Sequence, residues 1–104
     1  MKHCIIVKFI PDITHKIEKS FIEQIQELFD NCKEIDGIHD VKVFNCCVNK
    51  DNRADIMIQI DMEKSALEEY DKSQWHLIWK QEYGRFIDTK TIFDYDDTKP
   101  LKRK

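Results

Sequence analysis

Hydrophobic and polar positions along the chain follow two periods, one typical of strands and one typical of helices. Residues 3–10 are rich in β-branched and aromatic types on both parities, which is typical of a strand covered on both faces. Pro11 ends this strand because proline cannot continue a hydrogen-bonded ladder. Residues 15–33 then place apolar side chains at the 3.6-residue period of one amphipathic helix, with Thr14 as the predicted N-cap.

The middle of the chain is predicted to form a β-hairpin. Asp36-Gly37 supplies the turn before residues 38–48, which form a strand-like run. The second strand alternates: one face carries Ala54, Ile56, Ile58, Ile60 and Met62, and the other carries Asp55, Met57, Gln59 and Asp61. We expect the isoleucine face to pack against helices and the polar face to point into a partly polar interior.

The last third of the chain completes the pattern of an α+β protein. Residues 63–72 and 74–86 are predicted helical segments, and residues 89–95 are the last strand. The order is β-α-β-β-α-β, the ferredoxin-like arrangement with a four-stranded antiparallel sheet and helices on one face. Because the first strand is apolar on both parities, we predict that a second copy covers the other face, so that a homodimer forms an α/β barrel.

Composition excludes several classes of protein. The 104 residues suffice for one domain, predicted at residues 1–97, and residues 98–104 form a basic tail that we predict to be disordered. A net charge of -3 argues against nucleic acid as a partner. No apolar run approaches the roughly 20 residues of a membrane-spanning helix, and no secretory leader is visible. We therefore expect a cytoplasmic protein with no membrane partner.

The cysteines and two of the histidines give no sign of a special site. No pair of Cys or His has zinc spacing and no C-x-x-C motif occurs, so no metal site is predicted. We expect free thiols, buried or half-buried, at Cys4, Cys32, Cys46 and Cys47. His15 and His39 have no matching partners and are predicted to lie on the surface.

Short motifs recur along the chain in an order typical of one protein family. They are Lys2-His3 with Ile5, Val7, Lys8 and Phe9; Ile35-Asp36-Gly37-Ile38; Ala66-Leu67-Glu68-Glu69-Tyr70 with His76; and Ile92-Phe93-Asp94-Tyr95. In this order they resemble the stress-responsive A/B barrel domain family of the dimeric α/β-barrel superfamily. The resemblance covers about residues 2–96 and implies a ferredoxin-like fold, a homodimer, and chemistry that needs no metal or organic cofactor.

Tyr70 and His76 are the candidate catalytic residues. Their spacing is similar to that of a plant polyketide cyclase in the same family. A neutral imidazole can accept a proton near neutral pH, so His76 is the predicted general base. Tyr70 is the predicted hydroxyl donor to a substrate carbonyl or developing oxyanion. The ordinary alternatives are a His76 bonded to a backbone carbonyl or facing solvent, and a Tyr70 that only fills the apolar stripe of its helix.

Further residues are predicted to bind the ligand: His3, Asp55, Met57 and Trp79. His3 shares its parity with Ile5 and Val7, which we expect to line the barrel interior. Asp55 is placed on the corresponding face of the third strand. For Trp79, as for Trp75, packing in the core or at the dimer contact is the alternative interpretation.

The resulting hypothesis is a barrel protein that binds a small organic ligand and performs cofactor-free acid/base chemistry of a cyclase or lyase type. One alternative is a non-catalytic dimeric structural or ligand-binding stress protein. Another is a cofactor-free monooxygenase-like enzyme, as in neighbouring branches of the superfamily. A pocket that both Tyr70 and His76 reach would favour an enzyme, whereas a filled interior with His76 turned to solvent would favour the structural alternative.

Overall fold

The computed structural model describes residues 1–14 and 17–96, so the predicted basic tail and His15 lie outside the described residues. The elements are β1 (Lys2–Phe9), α1 (Pro11–Thr14), α2 (Lys19–Asp30), β2 (Ile38–Asn45), β3 (Ile56–Met62), α3 (Leu67–Asp71), α4 (Gln74–Tyr83) and β4 (Ile87–Tyr95). Short 3-10 turns lie at Asn31–Glu34, Lys64–Ala66 and Gly84–Phe86. Within this described part, no helix has the length and apolar character needed to cross a membrane.

The strands form one antiparallel sheet in the order β2-β3-β1-β4. The first strand of the chain therefore lies inside the sheet, between β3 and β4, as its apolar composition on both parities indicates. The helices between β1 and β2 and between β3 and β4 complete the β-α-β-β-α-β order. The predicted ferredoxin-like α+β fold is confirmed.

The register assigns the two faces of the sheet and corrects one prediction. Residues that lie opposite each other in an antiparallel pair point to the same side. Ile5 lies opposite Ile58, and His3 lies opposite Ile60, so the His3 parity shares the face of the buried isoleucines. That face packs against the helices. The expectation that His3, Ile5 and Val7 line a barrel interior is therefore wrong, because the helix-free face belongs to the other parity of β1.

The core lies between the helix-covered face of the sheet and α2 with α4. Ile58 and Ile60 are fully buried there, against Ile25 and Phe29 of α2 and Trp79 of α4. The predicted isoleucine face of β3 and the predicted apolar stripe of α2 are thereby confirmed. Core packing is also the environment of Trp79, one of the two interpretations that its sequence position allows.

The start of the long helix differs from the prediction. The chain after β1 makes the short helix α1, and α2 begins only after Glu18, which has an extended backbone. Thr14 is not the N-cap of α2, because its hydroxyl oxygen lies 2.8 Å from Asp55 Oδ2 and 3.1 Å from the Phe9 carbonyl oxygen. Asp55 also accepts a hydrogen bond from the Phe9 N–H at 2.8 Å. Thr14 and Asp55 therefore close one end of the sheet.

The turn before β2 needs a glycine, as the sequence predicts. Gly37 has a φ of +93°, in the left-handed region that side-chain-bearing residues rarely adopt. A Cβ there would lie 3.1 Å from Ala66 Cβ, and the Gly37 carbonyl accepts the Glu63 N–H at 2.7 Å. This turn therefore fixes the start of β2 against the segment that leads into α3.

Candidate active site

A helix break between α3 and α4 brings Tyr70 and His76 together. Ser73 has an extended backbone and caps α4 by accepting a hydrogen bond from the His76 N–H. The same hydroxyl donates to the Tyr70 carbonyl at 2.7 Å. One serine side chain therefore links the end of one helix to the start of the next, and the Tyr70 and His76 rings lie with centroids 5.0 Å apart.

The two rings line a cleft between these helices and the β1–β4 side of the sheet. Its volume is about 320 Å³. The cleft brings together four residues that the sequence analysis proposes for one site: His3, Tyr70, His76 and Trp79. The His3 ring contacts the Tyr70 ring edge-on at 5.5 Å. The Tyr70 phenol in the cleft therefore contacts two imidazoles, those of His3 and His76. The indole of Trp79 forms part of the cleft wall.

His3 is held in the sheet by an acidic partner. It is 5% exposed, and its Nδ1 lies 2.5 Å from Oδ1 of Asp94, the residue opposite His3 on β4. A carboxylate only accepts hydrogen bonds, so Nδ1 carries a proton and Nε2 is the ring atom left for other chemistry. Asp94 also balances the positive charge that the ring gains when Nε2 is protonated.

His76 is oriented by a backbone group. Its Nδ1 lies 3.0 Å from the Asp71 carbonyl oxygen, which can only accept. The neutral ring is therefore protonated at Nδ1, and Nε2 has the free lone pair that a general base needs. The ordinary alternative for His76, a hydrogen bond to a backbone carbonyl, is observed. This bond uses Nδ1 and leaves Nε2 available.

Tyr70 combines complete burial with an unused hydroxyl. The residue is 0% exposed, and among the described residues its hydroxyl has no hydrogen-bond partner. Burial first, and then the nearby Cys32 and Asp71, raise the pKa of Tyr70 far above its ordinary value near 10. The phenol therefore stays protonated at every working pH and is available as a hydrogen-bond donor.

Asp55 and Met57 do not join this cleft. Asp55 lies at the end of the sheet where it binds Phe9 and Thr14. Met57 lies on the helix-free face, opposite Ile6 of β1 and Phe44 of β2. Met57 points to the opposite side of the sheet from Ile58, and Asp55 has the same parity as Met57. Ile58 is on the same side as His3.

Sequence reasoning missed two charged residues of β4 that line the cleft, Lys90 and Asp94. The signal that could have found them is their parity. Both share the face of Ile92, and an antiparallel β4 beside β1 places that face next to His3 and Ile5. Asp94 lies in one of the family-like motifs, but the motif alone does not assign it to His3.

The remaining candidates for chemistry are accounted for by their surroundings. The cysteines of the described residues form no disulfide bond, in line with the prediction of thiols. Cys4 and Cys32 are buried, but Cys46 and Cys47 are exposed because they follow the end of β2. His39 is exposed, as predicted, and its Nε2 lies 3.0 Å from Glu63. In residues 1–14 and 17–96, no group of three or more His, Cys, Asp or Glu side chains could hold a metal ion.

Comparison with known proteins identifies the class of fold. No protein-family model matches the chain, and no curated protein sequence matches it. Three similar solved structures are a dimeric ferredoxin-like protein of unknown function from Bacteroides fragilis (14% identity, TM-score 0.63, 91% of this chain and 93% of that one), a hydroxynitrile lyase from Passiflora edulis (12%, 0.68, 95% and 95%), and a Dabb family protein from Mesorhizobium loti (13%, 0.58, 97% and 96%).

These neighbours have one architecture in common with this chain. The Bacteroides and Mesorhizobium proteins are described as ferredoxin-like, which agrees with the sheet order and helix placement found here. The Dabb protein among them is consistent with the resemblance to stress-responsive A/B barrel proteins. The chain is a ferredoxin-like α+β protein whose structural neighbours include Dabb, dimeric and lyase members.

Proposed function

We propose that this protein is a cofactor-free acid/base enzyme that acts on a small organic compound bearing a hydroxyl or carbonyl group. The observation that carries the proposal is the Tyr70 hydroxyl, which is buried and has no partner among the described residues, on a ring that contacts two imidazoles. Leaving a buried hydroxyl unsatisfied costs about 1–3 kcal/mol. A ligand oxygen in the cleft would recover that free energy, so the site is suited to bind one.

The geometry supports distinct roles for the three polar residues. His76 Nε2 removes a proton from the ligand, either from a hydroxyl group or from a carbon next to a carbonyl. Tyr70, kept protonated by its raised pKa, donates a hydrogen bond to the ligand oxygen. His3, which is held by Asp94 through Nδ1, supplies a proton from Nε2 to the group that leaves.

The lyase form of this chemistry can be written with every proton placed. His76 takes the hydroxyl proton of a cyanohydrin, the carbon–carbon bond to the nitrile breaks, and its electron pair leaves with cyanide. Protonated His3 gives cyanide a proton, and the products are an aldehyde and hydrogen cyanide. The similar fold of a hydroxynitrile lyase supports this reaction class, and cyclisation would use the same base and donor.

The proposal is tested with mandelonitrile, whose cleavage releases benzaldehyde and is followed by ultraviolet absorbance. His76→Ala should lower kcat/KM about 100-fold, the typical loss for a general base. Tyr70→Phe should lower kcat about 100-fold because one donor to the developing charge is removed. His39→Ala is the matched control, since His39 is an exposed histidine that does not line the cleft, and it should leave the rate unchanged.

Two results would contradict the proposal. One is turnover that survives both His76→Ala and Tyr70→Phe at the wild-type rate. The other is a wild-type protein that neither cleaves mandelonitrile nor shows any change in the His76 imidazole NMR signals when benzaldehyde is added, because a site built for a ligand oxygen should bind this aldehyde.

We also propose that the protein is a homodimer formed through the helix-free face of the sheet. Phe93 is 58% exposed and Phe44 is 44% exposed on this face, on either side of Ile6 and Met57. A contiguous apolar patch of this kind usually marks a protein contact. The dimeric Bacteroides neighbour supports a second copy as the occupant, which would close the two sheets into a barrel.

Light scattering at micromolar concentration should give the mass of a dimer. The double variant Phe44→Asp, Phe93→Asp should give a monomer, because two charges would be buried in an apolar contact. Leu77→Asp is the matched control, since Leu77 is 50% exposed on α4, and it should remain dimeric. A monomeric wild-type protein would overturn this assignment.

A further inference from the structure

The polarity and charge of the cleft lining change along β4. The β4 side chains on the helix-covered face are Asp94, Ile92 and Lys90, which lie opposite His3, Ile5 and Val7 of β1. Since all three line the cleft, one end holds the imidazole–carboxylate pair, the middle is apolar, and the other end holds an ammonium group. The Cα atoms of Asp94 and Lys90 are four residues apart, about 13 Å along the strand.

Lys90 brings an ammonium group to this cleft. The cleft is also lined by Asp94, whose carboxylate is bound to His3, and by Asp71, whose backbone carbonyl is bound to His76. Within the described part of the chain, the side-chain ammonium group of Lys90 makes no ion pair or hydrogen bond. Its ammonium group is exposed at the edge of the cleft and is available to pair with a ligand anion.

We propose that the ligand carries a carboxylate that binds Lys90, with its reactive oxygen at Tyr70 and His76. The two polar ends are separated by an apolar segment that packs on Ile5 and Ile92. This inference rests on the proposed function for the location of the reactive end, but it adds a substrate class: elongated, apolar carboxylic acids with a carbonyl or hydroxyl at the opposite end. A neutral compound of the same shape leaves Lys90 without a partner.

The acid 4-formylcinnamate and its neutral amide form a matched pair of probes. Both carry an aldehyde at one end and an aromatic middle, and they differ only in charge at the other end. Isothermal titration should show the wild-type protein binding the carboxylate about tenfold more tightly than the amide, as expected for one charge-assisted hydrogen bond. Raising the sodium chloride concentration should reduce this preference, because the ion pair is solvent-accessible.

Variants of Lys90 separate the ion pair from general effects on the cleft. Lys90→Gln should abolish the preference for the carboxylate and leave affinity for the amide unchanged, and Lys90→Arg should restore the preference. Lys19→Gln is the control, because Lys19 is an exposed lysine of α2 paired with Glu23. Equal wild-type affinity for the two probes, or a preference that survives Lys90→Gln, would overturn the assignment of Lys90.

The outcomes distinguish this inference from the proposed function. If the carboxylate preference depends on Lys90 but His76→Ala and Tyr70→Phe change no reaction rate, the cleft binds carboxylates and the catalytic proposal fails. If those two variants abolish turnover of mandelonitrile while Lys90→Gln changes no affinity, the catalytic proposal stands and the carboxylate is refuted.

Discussion

Replacing Trp79 by alanine should lower the free energy of unfolding by about 3–5 kcal/mol, the usual cost of deleting a buried indole. Trp79 is 1% exposed. Its ring lies edge-on to Phe29 with centroids 5.2 Å apart and stacks on Tyr83 at 5.2 Å. The indole therefore joins α4 to α2 as well as forming part of the cleft wall. A domain of this size has about 5–15 kcal/mol of stability in total.

Trp75 on the same helix is the matched control. It is half-buried, and its Nε1–H donates to Glu34 at 2.8 Å. Trp75→Ala loses this exposed hydrogen bond and part of a packed ring, so it should cost about 1 kcal/mol. Urea unfolding followed by far-ultraviolet circular dichroism measures both variants at one protein concentration, since dimer formation would make the midpoints depend on concentration.

The comparison remains informative if Trp79→Ala does not fold. Trp79→Phe keeps an aromatic ring against Phe29 and should give an intermediate loss of stability. Equal losses for the Trp75 and Trp79 variants would contradict the placement of Trp79 in the core. Because the same indole lines the cleft, folded Trp79→Phe should also bind the aldehyde probes more weakly than the wild-type protein.

Alternation and helical periodicity predict the elements of this fold but not which face of β1 points to the helices. Both parities of β1 are apolar, so its pattern is compatible with either orientation. The orientation of β1 is determined by the neighbouring strand β3. Strict alternation places Ile58 of β3 on the helix side, and Ile5 of β1 pairs with Ile58. Register is a tertiary property, and a single strand does not encode it.

The residues of the candidate site likewise differ in whether local sequence or strand pairing places them in the cleft. Tyr70 and His76 can be predicted because their spacing resembles a family motif, and in the structure the helix break at Ser73 brings them together. Asp94 and Lys90 belong to a strand far along the chain, and they reach the cleft only through the pairing of β4 with β1. Local sequence therefore predicts the proposed base and the proposed hydroxyl donor, whereas the charged groups around them depend on strand order.

Thr14 shows that a tertiary contact can override a local preference for the start of a helix. A threonine before an apolar stripe is a good N-cap candidate. In the structure its hydroxyl is instead occupied by Asp55, which also holds the Phe9 N–H at the end of β1. Closing the sheet end with three polar groups takes precedence over capping α2, and α2 starts after Glu18 without a side-chain cap.

The protein should lose stability in alkaline solution through Cys32 and Tyr70. Burial, and then the negative charges of Glu34 and Asp30, raise the pKa of the Cys32 thiol from its ordinary value near 9 to about 12. Burial also raises the pKa of Tyr70. The folded protein then holds protons that the unfolded chain has released, so the contribution of each group is complete below its unfolded pKa and falls as the pH rises toward the folded pKa.

For Cys32 this window runs from about pH 9 to about pH 12. Within it, each pH unit lowers the free energy of unfolding by about 1.4 kcal/mol for one group. Urea unfolding in a phosphine reductant should therefore show a loss of about 2 kcal/mol from Cys32 between pH 8 and pH 10.5, with a further loss from Tyr70. Cys32→Ala should be less stable at pH 8, because a buried side chain is truncated, yet less sensitive to pH over the same interval.

Cys47→Ala is the control for the alkaline experiment, because Cys47 is an exposed thiol and its removal should leave the pH dependence as in the wild-type protein. The decisive quantity is the difference in slope between Cys32→Ala and wild type, rather than either absolute stability. Identical slopes would mean that Cys32 ionises equally in the folded and unfolded states, which is incompatible with its complete burial beside Glu34 and Asp30. A slope reduced only in Cys32→Ala would assign that part of the alkaline sensitivity to the turn that follows α2, near Tyr70.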